Sequence, residues 1–124
     1  MIVTAKQMML EAMAQLERVN MTEAHTLLEN RQVTLLDVRE KVEFDAGHID
    51  GAEHISRGLL EFMIENHPKF SDRGTPILVY CKTGGRSALA GATLKRMGFE
   101  RVINLEGGFD AWTQGQNIPE GMVD

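Results

Sequence analysis

Apolar residues recur along this chain in two rhythms. Ala5, Met9, Ala12, Met13, Leu16 and Val19 fall at helical spacing and predict a helix over residues 4 to 19, broken by Asn20 and Met21. Thr22 is placed to cap a second helix, with Glu23 in its first turn and Leu27 and Leu28 on one face. Short unbroken apolar runs then alternate with further helical stretches. Val33 to Asp37, Ile77 to Tyr80 and Val102 to Leu105 read as strands, continuously apolar as when both faces are covered, and residues 53 to 55 as a shorter one. Arg57 to Asn66 reads as a helix with Pro68 just past its end, and Ser87 to Met97 as a helix stopped by Gly98. Phe109 to Gln114 predicts a last short helix, and the tail from Gly115 is expected to be loosely held. Strands alternating with helices predict an α/β fold on a mostly parallel sheet.

Composition narrows the function. At 124 residues, one domain with its own core is expected. A net charge of −5 disfavours nucleic acid and an anionic membrane surface as partners. It leaves a small anionic substrate open, because the local field decides that. The single cysteine excludes a disulfide within the chain and a multi-cysteine metal site, and no metal or cofactor is implied. A free thiol fits a reducing compartment. Only Lys6 precedes Glu11, no leader-like apolar stretch follows, and no window approaches a membrane span, so a cytoplasmic protein is expected.

That cysteine, Cys81, closes the apolar run Ile77-Leu78-Val79-Tyr80 and opens the loop Lys82-Thr83-Gly84-Gly85-Arg86, after which a helix starts at Ser87. Strand, glycine loop and helix in that order build an anion cradle, in which backbone N–H groups and the positive end of the helix dipole converge. The reactive form of cysteine is the thiolate, and an anion is favoured there. Lys82 and Arg86 add positive charge, and Arg86 can close the loop or hold an anion or carboxylate. Gly84 and Gly85 permit backbone conformations that a side chain would block. Ser87 can cap the helix or hydrogen-bond the sulfur. The bland alternative for Cys81 is a buried structural thiol.

The loop resembles the active-site loop of the rhodanese (thiosulfate sulfurtransferase) family. Leu35-Leu36-Asp37-Val38-Arg39-Glu40 is similar to that family's first-strand signature, and Gly47-His48-Ile49-Asp50-Gly51-Ala52 to its Gly-His-Ile-x-Gly-Ala turn, with Asp50 where proline is common. Leu105-Glu106-Gly107-Gly108-Phe109-Asp110-Ala111-Trp112 is similar to its closing segment. Arg57-Gly58-Leu59-Leu60-Glu61-Phe62 resembles a segment of single-domain members that lies near the active-site mouth. The resemblance implies a three-layer α/β/α domain over residues 22–124, with a sheet of four to five strands and an extra helical extension over residues 1–21. It implies that Cys81 takes the outer sulfur of a donor such as thiosulfate, becomes a persulfide and passes the sulfur to cyanide or a thiol.

On that reading Lys82, Thr83, Gly84, Gly85, Arg86, Ser87, Arg39 and Arg57 are candidate substrate contacts. Asp37, His48, Glu61, Gly107 and Gly108 support the site, and Trp112 anchors the core. Asp37 with Arg39, and Arg57 with Glu61 at i and i+4, also read as plain ion pairs. His25, His54 and His67 have no motif context. The implied partners are a small anionic sulfur donor and a thiol or cyanide acceptor, which includes a sulfur-acceptor protein; the chain itself is read as a monomer or homodimer. Two other readings stay open: a sulfur-carrying or docking module with little turnover, and a cysteine-dependent phosphatase or arsenate reductase. Tyrosine phosphatases carry Cys-x5-Arg, one residue longer than the Cys-x4-Arg from Cys81 to Arg86, and the shorter ring suits a small sulfur electrophile.

Overall fold

A computed structural model describes residues 1–117. All five strands run parallel in one sheet, in the order β1-β5-β4-β2-β3, with β1 Glu17–Val19, β2 Thr34–Asp37, β3 Glu53–His54, β4 Ile77–Tyr80 and β5 Val102–Leu105. Alternate side chains of these strands enter two cores. Leu36, Ile77, Val79 and Val102 join Leu16, Leu60, Ile64, Phe70, Ala90 and Leu94 on one face. Leu35, Leu78, Tyr80, Ile103 and Leu105 join Ala24, Ile49 and Trp112 on the other. Helices α4 Leu60–Ile64 and α5 Gly85–Arg96 border the first core, with α1 Ala5–Ala14 packed on α5, and α2 Met21–Glu29 and α6 Gly108–Asn117 border the second. This is the three-layer α/β/α arrangement that alternating elements require.

Several boundaries differ from the sequence reading. The predicted helix over residues 4 to 19 stops at Ala14, where the Gln15 N–H turns back to the carbonyls of Ala12 and Met13. Glu17–Val19 then pairs with Ile103–Leu105 as a sheet edge, because backbone pairing outweighs a helical periodicity in which only Val19 of these three residues is buried. Asn20, not Thr22, caps α2: its side chain accepts from the Glu23 N–H at 2.9 Å, and the Glu23 carboxylate accepts from the Asn20 N–H. A helix absent from the expectation, α3 Lys41–Ala46, follows β2. The stretch from Arg57 begins as a 3-10 turn, Arg57–Leu59, before α4. Helix α5 starts two residues early, at Gly85, so Gly85 and Arg86 lie in its first turn. Helix α6 runs on to Asn117; the rest of the predicted loose tail, residues 118–124, lies outside the described residues. No described helix is long and apolar enough to cross a membrane.

Candidate active site

Parallel α/β sheets place ligands beyond the carboxyl ends of their strands, and there β4 hands the chain to Cys81. The thiol is free and 1% exposed. Gly84 has φ +122 and is the N-cap residue of α5, a conformation open to glycine and strained for other residues. That turn aims the Gly84 N–H at Cys81 Sγ, 3.1 Å away. The first bond inside α5 is Ala88 N–H to Gly84 O, so the N–H groups of Gly85, Arg86 and Ser87 have no acceptor within the helix. The result is a sulfur atom at the positive end of a helix.

The carbonyl side of the loop is held by α6. Phe109 N–H donates to Cys81 O at 2.8 Å and Asp110 N–H to Lys82 O at 3.0 Å. Gly107 and Gly108 make this possible, with φ +74 and +59. A Cβ on Gly108 would lie 2.6 Å from both of those carbonyl oxygens. Ser87 is buried and does neither job foreseen for it: its hydroxyl donates to Asn104 Oδ1 at 2.6 Å, and Asn104 Nδ2 donates to Gly84 O at 3.4 Å. Asn104 was not anticipated, although one amide inside the otherwise apolar strand Val102–Leu105 is a signal that could have marked it.

Each cation assigned to substrate has a carboxylate partner. Arg86 meets Glu43 of α3 in a two-pronged pair at 2.7 and 3.1 Å. Lys82 reaches Asp110 at 3.0 Å across an exposed surface. Arg39 is 4% exposed, chelates Asp37 at 2.8 Å, donates to Gly47 O at 2.7 Å and lies over the Phe109 ring; its polar contacts go to Asp37 and Gly47, not to the loop. Arg57 binds Glu61 and Thr93 and lines a groove of about 600 Å³ between α1 and α5, which no residue of the loop from Cys81 to Arg86 lines. His48 stacks on Phe44, with Nδ1 2.9 Å from Phe44 O, as part of its turn. Thr83 is exposed at the loop's tip. The structure thus brings together Cys81, Gly84, Gly85, Arg86, Gly107 and Gly108, and sends Arg39 and Arg57 elsewhere.

Glu43, which sequence reading missed, has its acidity strongly perturbed by this pairing. The hydrogen bonds from Arg86 lower its pKa from 4.5 to about 2 against a smaller opposing effect of burial. A carboxylate whose folded pKa is depressed stabilises the fold above its unfolded value and loses that contribution as pH falls through the folded one. The Glu43–Arg86 contact therefore contributes fully above pH 4.5 and fades between 4.5 and 2. Glu43→Gln should lower the melting temperature at neutral pH and flatten its fall across that acid window. Parallel melting curves for the two proteins would show that the pair contributes nothing.

Residues 20–115 match the family model for the Rhodanese-like domain. The chain is 44% identical over 84 residues to the probable adenylyltransferase/sulfurtransferase MoeZ of Mycobacterium tuberculosis, a match covering 68% of this chain and 21% of that protein. It thus spans about a fifth of the length of that relative. Among solved structures, a protein of unknown function from Rhodopseudomonas palustris CGA009, described as a possible tyrosine phosphatase, is similar with a TM-score of 0.86 at 32% identity, over 97% of this chain and 96% of that one. The polysulfide-sulfur transferase homodimer from Wolinella succinogenes is similar with a TM-score of 0.72 at 36% identity, over 90% of this chain and 82% of that one.

Proposed function

This chain belongs to the rhodanese-like domain family, whose model matches residues 20–115, and on that premise we propose that it is a sulfurtransferase working through a persulfide on Cys81. The observation that carries the reading is the Gly84 N–H held 3.1 Å from Cys81 Sγ at the start of α5. The Cys81 thiolate attacks the outer sulfur of a donor such as thiosulfate. The donor's S–S bond breaks and its electron pair leaves with sulfite. The terminal sulfur of the new persulfide carries the negative charge into the cradle of N–H groups. A thiolate or cyanide then attacks that sulfur, the bond to Cys81 breaks, and the Cys81 thiolate returns.

The similarity to a polysulfide-sulfur transferase supports polysulfide as a second donor to test, and the homodimer in that relative supports testing for a dimer here. The match to one fifth of MoeZ supports a sulfur-acceptor protein as partner. A free thiol supports a reducing compartment such as the cytoplasm.

The similarity to a protein described as a possible tyrosine phosphatase favours a second reading, phosphoester hydrolysis at the same cysteine. Two features weigh against it. The loop has four residues between Cys81 and Arg86, one fewer than the phosphatase ring. The Arg86 fork that would meet phosphate oxygens is engaged by Glu43. Intact mass after incubation with thiosulfate, and separately with polysulfide, should rise by one sulfur atom and return to the starting value on adding cyanide. No gain with either donor sinks the sulfur reading, and steady hydrolysis of an aryl phosphate replaces it.

A further inference from the structure

The loop bearing Cys81 is gripped on a second side by α1, which sequence reading kept apart from the site. Helix α1 and the turn that follows it lie along α5 at positions where α5 or its cap has no side chain. A Cβ on Gly91 would come 2.6 Å from Leu16 Cδ1, one on Gly85 3.2 Å from Met9 Sδ, and one on Gly84 3.8 Å from Met13 Cε. Met9 therefore fills the space a side chain would take at Gly85, and Met13 adjoins that space at Gly84, the two residues that turn the chain into α5. Helix α1 is anchored at both ends. Thr4 and Gln7 form a reciprocal cap at its start, and Lys95 Nζ of α5 donates to Gln15 O at its finish, 3.1 Å away.

A Gly-Gly pair needs such a support. Glycine has more backbone freedom to lose than any other residue, and Gly84 must stay at φ +122 for its N–H to face the sulfur. Neither glycine has a side chain with which to lock itself into the core. Methionine suits this contact, because its unbranched thioether fills irregular space against bare backbone.

We propose that Met9 and Met13 are positioning residues for the nucleophile: they hold the Gly84–Gly85 backbone so that the Gly84 N–H remains on the Cys81 sulfur as negative charge collects there. The proposal rests on reading Cys81 as the sulfur-bearing nucleophile, and it extends the site to a helix outside the family-matched residues. The methionines touch no reacting atom. Their effect belongs in kcat for sulfur loading and not in KM for the donor.

The test uses the full chain with thiosulfate as donor, comparing M9A/M13A, the volume-conserving M9L/M13L and L16A. Leu16 packs on the same helix but against Gly91, away from the loop. M9A/M13A should lower kcat roughly tenfold, since one misplaced donor to a developing anion weighs that much or more, with KM changed less than about twofold. M9L/M13L should stay within about twofold of the parent. L16A should lose at least as much melting temperature and still load sulfur like the parent. Wild-type kcat in folded M9A/M13A, or loss of loading in L16A in step with it, overturns the proposal. If the double variant does not fold, Met9→Ala and Met13→Ala singly carry the same comparison. The rate of Cys81 alkylation by iodoacetamide separates this proposal from the sulfurtransferase reading. If the parent takes up no sulfur but alkylation slows in the alanine variants and not in L16A, the positioning stands and the sulfur reading falls. Unchanged alkylation with unchanged loading ends the positioning itself.

Discussion

Cys81→Ser is expected to abolish sulfur transfer and to leave the fold in place. The chemical half of the argument is categorical. A persulfide needs a sulfur atom on the enzyme, and a serine hydroxyl at neutral pH neither ionises nor forms an S–S bond. The remaining activity should fall below about one-thousandth of the parent's, as when a covalent nucleophile is removed from its machinery. The structural half follows from the site. The side chain at this position is 1% exposed, and a hydroxyl buried without a partner would be costly. Here the Gly84 N–H that faces Sγ at 3.1 Å stands ready to donate to Oγ. The swap is nearly isosteric, so the melting temperature should move by only a few degrees, within about 1 kcal/mol. Thiocyanate formation and thermal melting measured on the same preparation check both halves. A serine variant that still makes thiocyanate from thiosulfate and cyanide places the carrier elsewhere.

Gly108→Ala should be the most damaging single methyl group that can be added near the site. Two costs coincide, and the second cannot be relieved. The residue sits at φ +59, where alanine is strained by about 1 kcal/mol. The new Cβ would lie 2.6 Å from the carbonyl oxygens of both Cys81 and Lys82. Those are backbone atoms held by the Phe109 and Asp110 N–H groups, so no flexible side chain can swing aside. Overpacking against backbone adds about 1–3 kcal/mol, and the sum corresponds to a melting-temperature drop on the order of 10 °C for a chain of this size. Activity should fall further than stability, because the carbonyls displaced belong to the loop that carries Cys81, the proposed nucleophile. Gly51→Ala is the matched control. Gly51 has φ +86 with nothing within 4 Å of a Cβ, so it should show the conformational cost alone. Equal melting temperatures for the two variants would mean that the loop and α6 are not pressed together as described.

The parts legible in the sequence were those whose causes are local. The run Ile77-Leu78-Val79-Tyr80 is fully buried, and the glycines that follow announce the turn that carries Cys81. Gly98 marks the end of α5 through a positive φ of +102. Two elements were hidden because their causes are not local. In α3 no residue is fully buried, so Lys41–Ala46 has no apolar stripe to read. In β1, the residues Glu17-Arg18-Val19 continue the helical rhythm of α1, and only a distant edge of the sheet turns them into a strand. The same holds for the site. The thiol, its loop and its glycines could be found by spacing. The partners that decide what each cation does, Glu43 for Arg86 and Asp110 for Lys82, lie 43 and 28 residues away, beyond any local pattern.

The pairing of β1 with β5 also sets an order of events on the ribosome. Glu17–Val19 has its hydrogen-bonding neighbour at Ile103–Leu105, near the other end of the described chain. At a synthesis rate of about 5–20 residues per second, the first strand waits on the order of 5–15 seconds before its partner is made. Until then β1 lacks the neighbour that gives it a place in the sheet. Sheet closure is thus a late step that joins segments far apart in the described chain, of the high-contact-order kind that folds slowly. Nascent chains stalled before Val102 should remain open to protease around Arg18, and chains released after Leu105 should become protected there.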